Sequence, residues 1–232
     1  MLRNVFKVLV FLLVVYLVIN LFIQPSKLLS RSKGTDTQTI SARKLKNRNN
    51  SADYTYSMWF YVDDWNYKFG QDKILWSRQD ANDKVGPSVS LGRMQNDIII
   101  SMACYPTTLD SEENMIQKCV VRNFPLQKWV NLIVSLQGQT LDVYVDGKLH
   151  KTCVLEGVPK IGNNNDLIVT PEGGFSGWTS NFHYWDQGSN PQEAYNIYRK
   201  GYVGGILGNP FSKYKLRVEV LKDNDIAGGF EI

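Results

Sequence analysis

From Tyr54 to Trp185 the sequence is a succession of strand-sized runs, each rich in aromatic and β-branched residues and each closed by turn residues. In order these are "YTYSMWFYV", "KILWSR", "PSVSLG", "DIIISMACY", "KCVVRNF", "KWVNLIVSL", "TLDVYVDG", "KLHKTCVL", "DLIVTP" and "SNFHYW". So many short alternating or fully apolar segments predict an all-β, two-sheet antiparallel sandwich. One helix is expected, in "NPQEAYNIYRKG", where Asn190 caps, Pro191 takes the first helical position and Gly201 ends the last turn.

The sharpest local signal is "LDVYVDGKLHK", residues 141–151. Asp-Gly between alternating runs marks a two-residue type I′ turn, because both central residues need positive φ. Such a turn pairs Val145 with Lys148, Tyr144 with Leu149, Val143 with His150 and Asp142 with Lys151. Asp146 and Gly147 are then structural turn residues, and the Asp146 carboxylate is neither metal ligand nor catalyst. Upstream, Gln137-Gly138-Gln139 joins "VNLIVSL" to "TLDVYV", which extends the hairpin into a three-strand meander.

The same residues carry a family resemblance. "KWVNLIVSLQGQTLDVYVDGKLHKTCVL" resembles the Trp-strand-turn-strand-Tyr-Val-Asp-Gly-Lys segment of concanavalin A-like, laminin G-like jelly-roll domains. "YTYSMWFYV" is similar to that family's first core strand, and "GGFSGWTSNFHYWDQGSNPQEAYNIYRKG" to its closing strand and short helix. The resemblance covers roughly residues 54–202, and Asn131 stands where many members carry His. It implies a concanavalin A-like jelly roll that binds glycans or proteins and only in some members hydrolyses glycans. Membrane-anchored domains of this sort occur among virion proteins of large DNA viruses. By that analogy the chain is expected to be a virion minor capsid or membrane-to-capsid linker protein.

Ahead of the sandwich lies "VLVFLLVVYLVINLFI", Val8 to Ile23, which with Val5 and Phe6 is long enough to span a bilayer as a helix. The run ends in "INLFIQPSK" without a small-residue cleavage site, so it reads as an uncleaved transmembrane anchor over residues 5–23. Residues 24–52 hold seven Lys or Arg, one Asp and no aromatic residue, the composition of a basic flexible tether. The expected organisation is an anchor over 1–23, a tether over 24–52, the sandwich over 53–204 and a C-terminal extension with one strand over 205–232. In that extension Tyr214, Leu216, Val218 and Val220 alternate against Lys and Arg, which suits an added edge strand or an arm that pairs with a neighbouring protein.

Residues 1–52 contain nine basic groups and one acidic group, leaving 17 basic and 21 acidic groups in residues 53–232. A mildly acidic globule argues against nucleic acid as a partner. Lys27, Arg31 and Lys33 enrich the C-terminal flank of the anchor, which places the folded part on the cytosolic or capsid-facing side. Three cysteines leave at least one thiol unpaired, which suits a reducing compartment, whereas the sequon Asn49-Asn50-Ser51 points the other way. Cys104 and Cys119 are the two that a hairpin could bring into bonding range, but on a cytosolic side they are expected to be free thiols.

Glucanases on this fold set two carboxylates on alternate residues of one strand as Glu-x-Asp, and no Glu here has an Asp two residues later. "GGFSGW" fails as a nucleophile elbow, because Trp178 stands in place of the last Gly. His150 and His183 lie in strands and the cysteines lack CxxC spacing, so zinc chemistry has no ligand set. No catalytic residue is assigned. Asp80, Asn82 and Asp83 in "RQDANDK" and Asp166 in "GNNND" are candidate oxygen ligands for calcium at a loop rim, but these residue types are also default turn formers, and no cofactor is expected.

Trp59, Trp76, Trp129 and Trp185 are expected in the core, whereas Trp65 and Tyr67, after the first strand, and Trp178 are the candidates for an exposed contact surface. The expected function is therefore a non-enzymatic, membrane-anchored interaction or scaffold protein. It would meet the bilayer through residues 5–23 and another protein through the sandwich and C-terminal strand. A carbohydrate-binding, lectin-like surface protein is the alternative, and a degenerate glycoside hydrolase the third reading.

Overall fold

The computed structural model describes residues 7, 10–15, 27–45, 52–78, 86–106, 115–161, 164–202, 217–222 and 225–231. The chain divides into two compact units, Pro25–Tyr198 and a unit drawn from Met1–Gln24 and Arg199–Ile232.

All ten runs of the central region form strands. One sheet has seven: β4 (Tyr54–Asp64), β9 (Trp129–Gln137), β10 (Thr140–Val145) and β11 (Lys148–Val154) lie in order on one flank of β13 (Ser176–Trp185). β1 (Lys27–Leu29) and β2 (Ser32–Lys33) pair with β13 from its other side. The second sheet has six strands in the order β3 (Gln38–Ile40), β12 (Leu167–Val169), β5 (Lys73–Ser77), β6 (Ser88–Leu91), β7 (Ile98–Cys104) and β8 (Met115–Val121). Every pairing is antiparallel, so the expected two-sheet antiparallel sandwich is what forms.

Period-two alternation explains the core. Tyr54, Tyr56, Met58, Phe60 and Val62 of β4 and Val130, Leu132, Val134 and Leu136 of β9 join Leu75, Val89, Ile98, Ile100 and Leu167 of the facing sheet in one buried cluster. Each such side chain contributes about 1.5–3 kcal/mol of burial free energy. A single 9-residue helix, α1 (Pro191–Arg199), follows β13. It starts as expected: Asn190 Oδ1 accepts the Glu193 N–H at 3.0 Å while the Glu193 carboxylate accepts the Asn190 N–H at 3.0 Å, a reciprocal capping box.

The Asp146-Gly147 turn also forms as expected, with φ of 51° and 74°. Val145 pairs with Lys148 and Tyr144 with Leu149, but the register then slips, so Val143 faces Lys151 and Asp142 faces Thr152. The expected Val143–His150 and Asp142–Lys151 pairs are thus corrected by a bulge that takes up His150. Thr152 Oγ1 donates to Asp142 Oδ1 at 2.6 Å in the shifted register.

Three further expectations change. Over residues 27–45 the supposed tether is part of the sandwich: β1 and β2 extend one sheet, β3 starts the other, and a 3₁₀ turn, Ala42–Leu45, buries Leu45. Such short edge strands borrow their hydrogen bonds from a finished sheet and need only a few buried apolar residues, so their polar composition hides them. Thr37 Oγ1 donates to Thr170 O at 2.9 Å and Thr170 Oγ1 to Asp36 O at 2.7 Å, pinning this arm to the loop after β12. The cysteine pair is also different, since Cys119 of β8 bonds Cys153 of β11 with Cα atoms 6.0 Å apart, while Cys104 is buried and free. β8 and β11 end the two sheets on the same side, and the bridge ties those edges together. Lastly, the C-terminal extension, expected to hold one strand, holds two, β14 (Arg217–Lys222) and β15 (Asp225–Glu231), which pair with each other.

At the N-terminus residues 7 and 10–15 are helical, and the rest of the expected 5–23 span lies outside the described residues. Among the described residues no helix is long and apolar enough to cross a membrane.

Candidate functional site

Residues directly opposite each other on neighbouring strands point to the same face of a sheet. On the seven-stranded sheet Lys33 stands opposite Trp178, Trp178 opposite Tyr61, and Tyr61 opposite Trp129. The result is a row of one cation and three aromatic rings across β2, β13, β4 and β9, on the face turned away from the core. Tyr61 and Trp129 have ring centroids 5.8 Å apart. Arg31, in the link between β1 and β2, lays its guanidinium over this row, with Cζ 4.8 Å from the Trp178 centroid and 5.5 Å from that of Trp129. Delocalised and weakly hydrated, a guanidinium stacks on indole faces more readily than an ammonium does.

The next positions along the strands are covered by α1. Trp59 stacks on Tyr198 with centroids 5.5 Å apart, and Ile133, Tyr144 and Ala194 form a small buried cluster with Ile197 packed against it. Burial pushes the Tyr144 hydroxyl up to about 12, and that hydroxyl donates to Ser189 O at 3.3 Å. Between the covered and open zones Asn131 donates its amide to Ser57 Oγ at 3.2 Å. The outer face is therefore half roofed by a helix and half topped by one arginine.

Of the expected contact residues, only Trp178 belongs to this row, and it stands within β13. Trp65 and Tyr67 serve the loop rim at one end of the sandwich. Trp65 packs edge-on against Phe124 with centroids 5.9 Å apart, donates its indole N–H to Met94 O at 3.3 Å and lies 4.5 Å beneath the Lys73 ammonium. Burial pushes the Lys73 ammonium below the ordinary lysine value. The Tyr67 hydroxyl donates to Gly173 O at 3.1 Å and Lys68 Nζ to Glu172 O at 2.6 Å. These side chains brace loops against one another. Sequence reasoning missed Arg31, Tyr61 and Trp129, although "WVNLIVSL" carried a usable signal: if Val130, Leu132 and Val134 face inward, Trp129 must face outward with Asn131.

Of the calcium candidates, Asp80, Asn82 and Asp83 lie outside the described residues. Asp166 accepts the Ala42 N–H at 2.8 Å, a bond that holds the start of the 3₁₀ turn. Among the described residues no three His, Cys, Asp or Glu side chains gather as a metal set. Asp146 does more than mark a corner, because its Oδ1 accepts the Asn131 N–H at 2.9 Å and its Oδ2 lies 3.3 Å from Lys128 Nζ.

Two sheets, a meander, a closing strand and a short helix packed on the outer face define the jelly-roll sandwich class. Residues 32–193 match the family model described as the concanavalin A-like lectin/glucanases superfamily, and the chain belongs to that superfamily. No curated protein matches the chain. Among solved structures it is similar to the receptor binding domain of botulinum neurotoxin C/D mosaic serotype, with 10% identity and a TM-score of 0.53, over 73% of this chain and 42% of that one. The binding domain of botulinum neurotoxin DC in complex with rat synaptotagmin II gives 14% identity and a TM-score of 0.52, over 73% of this chain and 41% of that one. A mutant of HCR/D gives 10% identity and 0.54, with the same two coverages, 73% and 41%. The chain thus spans about two fifths of these structures, and at such identities the likeness is one of fold.

Proposed function

We propose that the chain is a non-enzymatic binding domain, held at a membrane by its N-terminal apolar segment, that engages a protein partner through the outer face of its seven-stranded sheet. The observation that carries this reading is the row Lys33, Trp178, Tyr61 and Trp129 beneath Arg31. Trp, Tyr and Arg are the side chains that concentrate binding energy at protein interfaces. The binding role is supported by the superfamily and by the likeness to neurotoxin binding domains, one of them solved in complex with rat synaptotagmin II. A linker between a virion membrane and its protein shell would combine the same two attachments.

The side of the membrane is part of the proposal. The Cys119–Cys153 bridge supports an oxidising compartment. Lys27 and Lys33 stand in β1 and β2, so they belong to the folded domain and weigh little in a count of free flanking charge. The sandwich therefore faces away from the cytosol in this reading.

A lectin is the second reading, favoured by Tyr61 and Trp178, whose rings are of the kind that stack on sugars. A test joins liposome flotation with a glycan array. The full-length chain should float with liposomes, a chain lacking residues 1–23 should not, and no sugar should be bound selectively. Selective sugar binding abolished by Trp178→Ala would replace the protein partner with a glycan, and flotation without residues 1–23 would remove the anchor.

A further inference from the structure

Arg31 narrows the chemistry of the partner. Its guanidinium is held by two indoles, and among the described residues no carboxylate pairs with it. A guanidinium held over aromatic faces keeps its N–H groups in its own plane, and those that point off the rings match a carboxylate in bidentate geometry. Stacking also fixes the side chain before a ligand arrives, which lowers the entropy lost on binding. Lys33, exposed and opposite Trp178, adds a second cation to the same row.

Resting on the protein-binding reading above, we infer that this row recognises an acidic segment of a partner protein. Arg31 takes an Asp or Glu carboxylate edge-on, Lys33 supplements the field, and Trp178 with Tyr61 packs an apolar or aromatic neighbour of that acid. A sugar fits less well for a geometric reason. Arg31 already lies over the Trp178 and Trp129 rings, so a pyranose could stack on those rings only by displacing it. A carboxylate in the guanidinium plane displaces nothing. The acid–cation contact is also steered by charge, so association falls as salt rises.

The test is selection of a displayed random-peptide library on the full-length chain in detergent, followed by titration of the enriched peptides as synthetic compounds. Enriched peptides should share an Asp or Glu beside an apolar residue. Their affinity should drop at least tenfold with Arg31→Gln and with added salt, and stay constant with Arg93→Gln, a cation on the loop rim. Arg31→Glu should be rescued by a peptide whose acid is changed to Lys, an outcome that loss of folding cannot mimic. Peptides without an acid, or acidic peptides that bind Arg31→Gln unchanged, would overturn the inference while leaving a protein-binding domain in place. No enriched peptide together with selective binding on a glycan array would overturn both.

Discussion

Phe60 and Tyr61 are chain neighbours on β4, yet they sit in different surroundings. Phe60 is fully buried between the sheets, edge-on to Phe124 and Phe175 at centroid distances of 5.4 and 6.3 Å. Tyr61 is only half-buried, in a row that one arginine covers. The same alternation puts aromatic side chains on both faces of this strand, but only one face is closed by a second sheet. Aromatic content therefore says little about which ring is core. What lies across from each ring decides it, and that is a property of topology.

The largest expected effect breaks the inner face. Phe60→Ala should cost about 4 kcal/mol, since it removes a large buried ring and leaves a cavity that the sheets cannot close. Tyr61→Ala should cost about 1 kcal/mol, because its ring loses only partial burial. Chemical denaturation of the two variants measures the difference. Equal losses would mean that the outer row is as much core as the inner one.

Gly147→Val comes next and links the hairpin to the roofed half of the outer face. Its φ is 74°, and an added Cβ would meet Tyr198 Cβ at 2.8 Å. Strain and collision together should cost about 3 kcal/mol. Pairing it with Tyr198→Gly separates the parts, because a neighbour without Cβ and ring removes the collision but not the strain. Full recovery in the double variant would show that the backbone was never strained.

The bridge between the sheet edges should contribute about 2 kcal/mol, lost on reduction. Alkylation after unfolding without reductant should label Cys104 alone, and with reductant all three cysteines. In the native protein Cys104 should stay unlabelled, because burial both shields the thiol and pushes its ionisation up. Labelling of Cys119 in unreduced protein would remove the bridge and the argument for an oxidising side.

How much was legible follows from this contrast. The ten central strands were readable because each carries its own alternation and turn, and Asp146-Gly147 has few alternatives. The bulge at His150 was not, because register depends on how Asp142 and Thr152 meet across the strands. β1 to β3 were not, because each is two or three residues long and polar in composition. Arg31 looks like tether charge for the same reason: its role depends on Trp129 and Trp178, which lie about a hundred or more residues away in sequence.

The smallest expected effect returns to the hairpin corner, which borders the open row through Asn131. Asp146 Oδ1 accepts the Asn131 N–H, and an asparagine carbonyl oxygen at the same place can accept it equally well. The turn preference for positive φ is kept too. What Asp146→Asn removes is the ion pair to Lys128, whose side chain is 55% exposed, and such a pair is worth a few tenths of a kcal/mol. Removing the Lys128 partner also takes one negative charge from the border of the row, so binding of an acidic peptide to the row should strengthen slightly while the melting temperature hardly moves. Weaker peptide binding in a fully stable Asp146→Asn protein would mean that the carboxylate itself touches the ligand, which would shift the contact surface from the aromatic row to the hairpin corner.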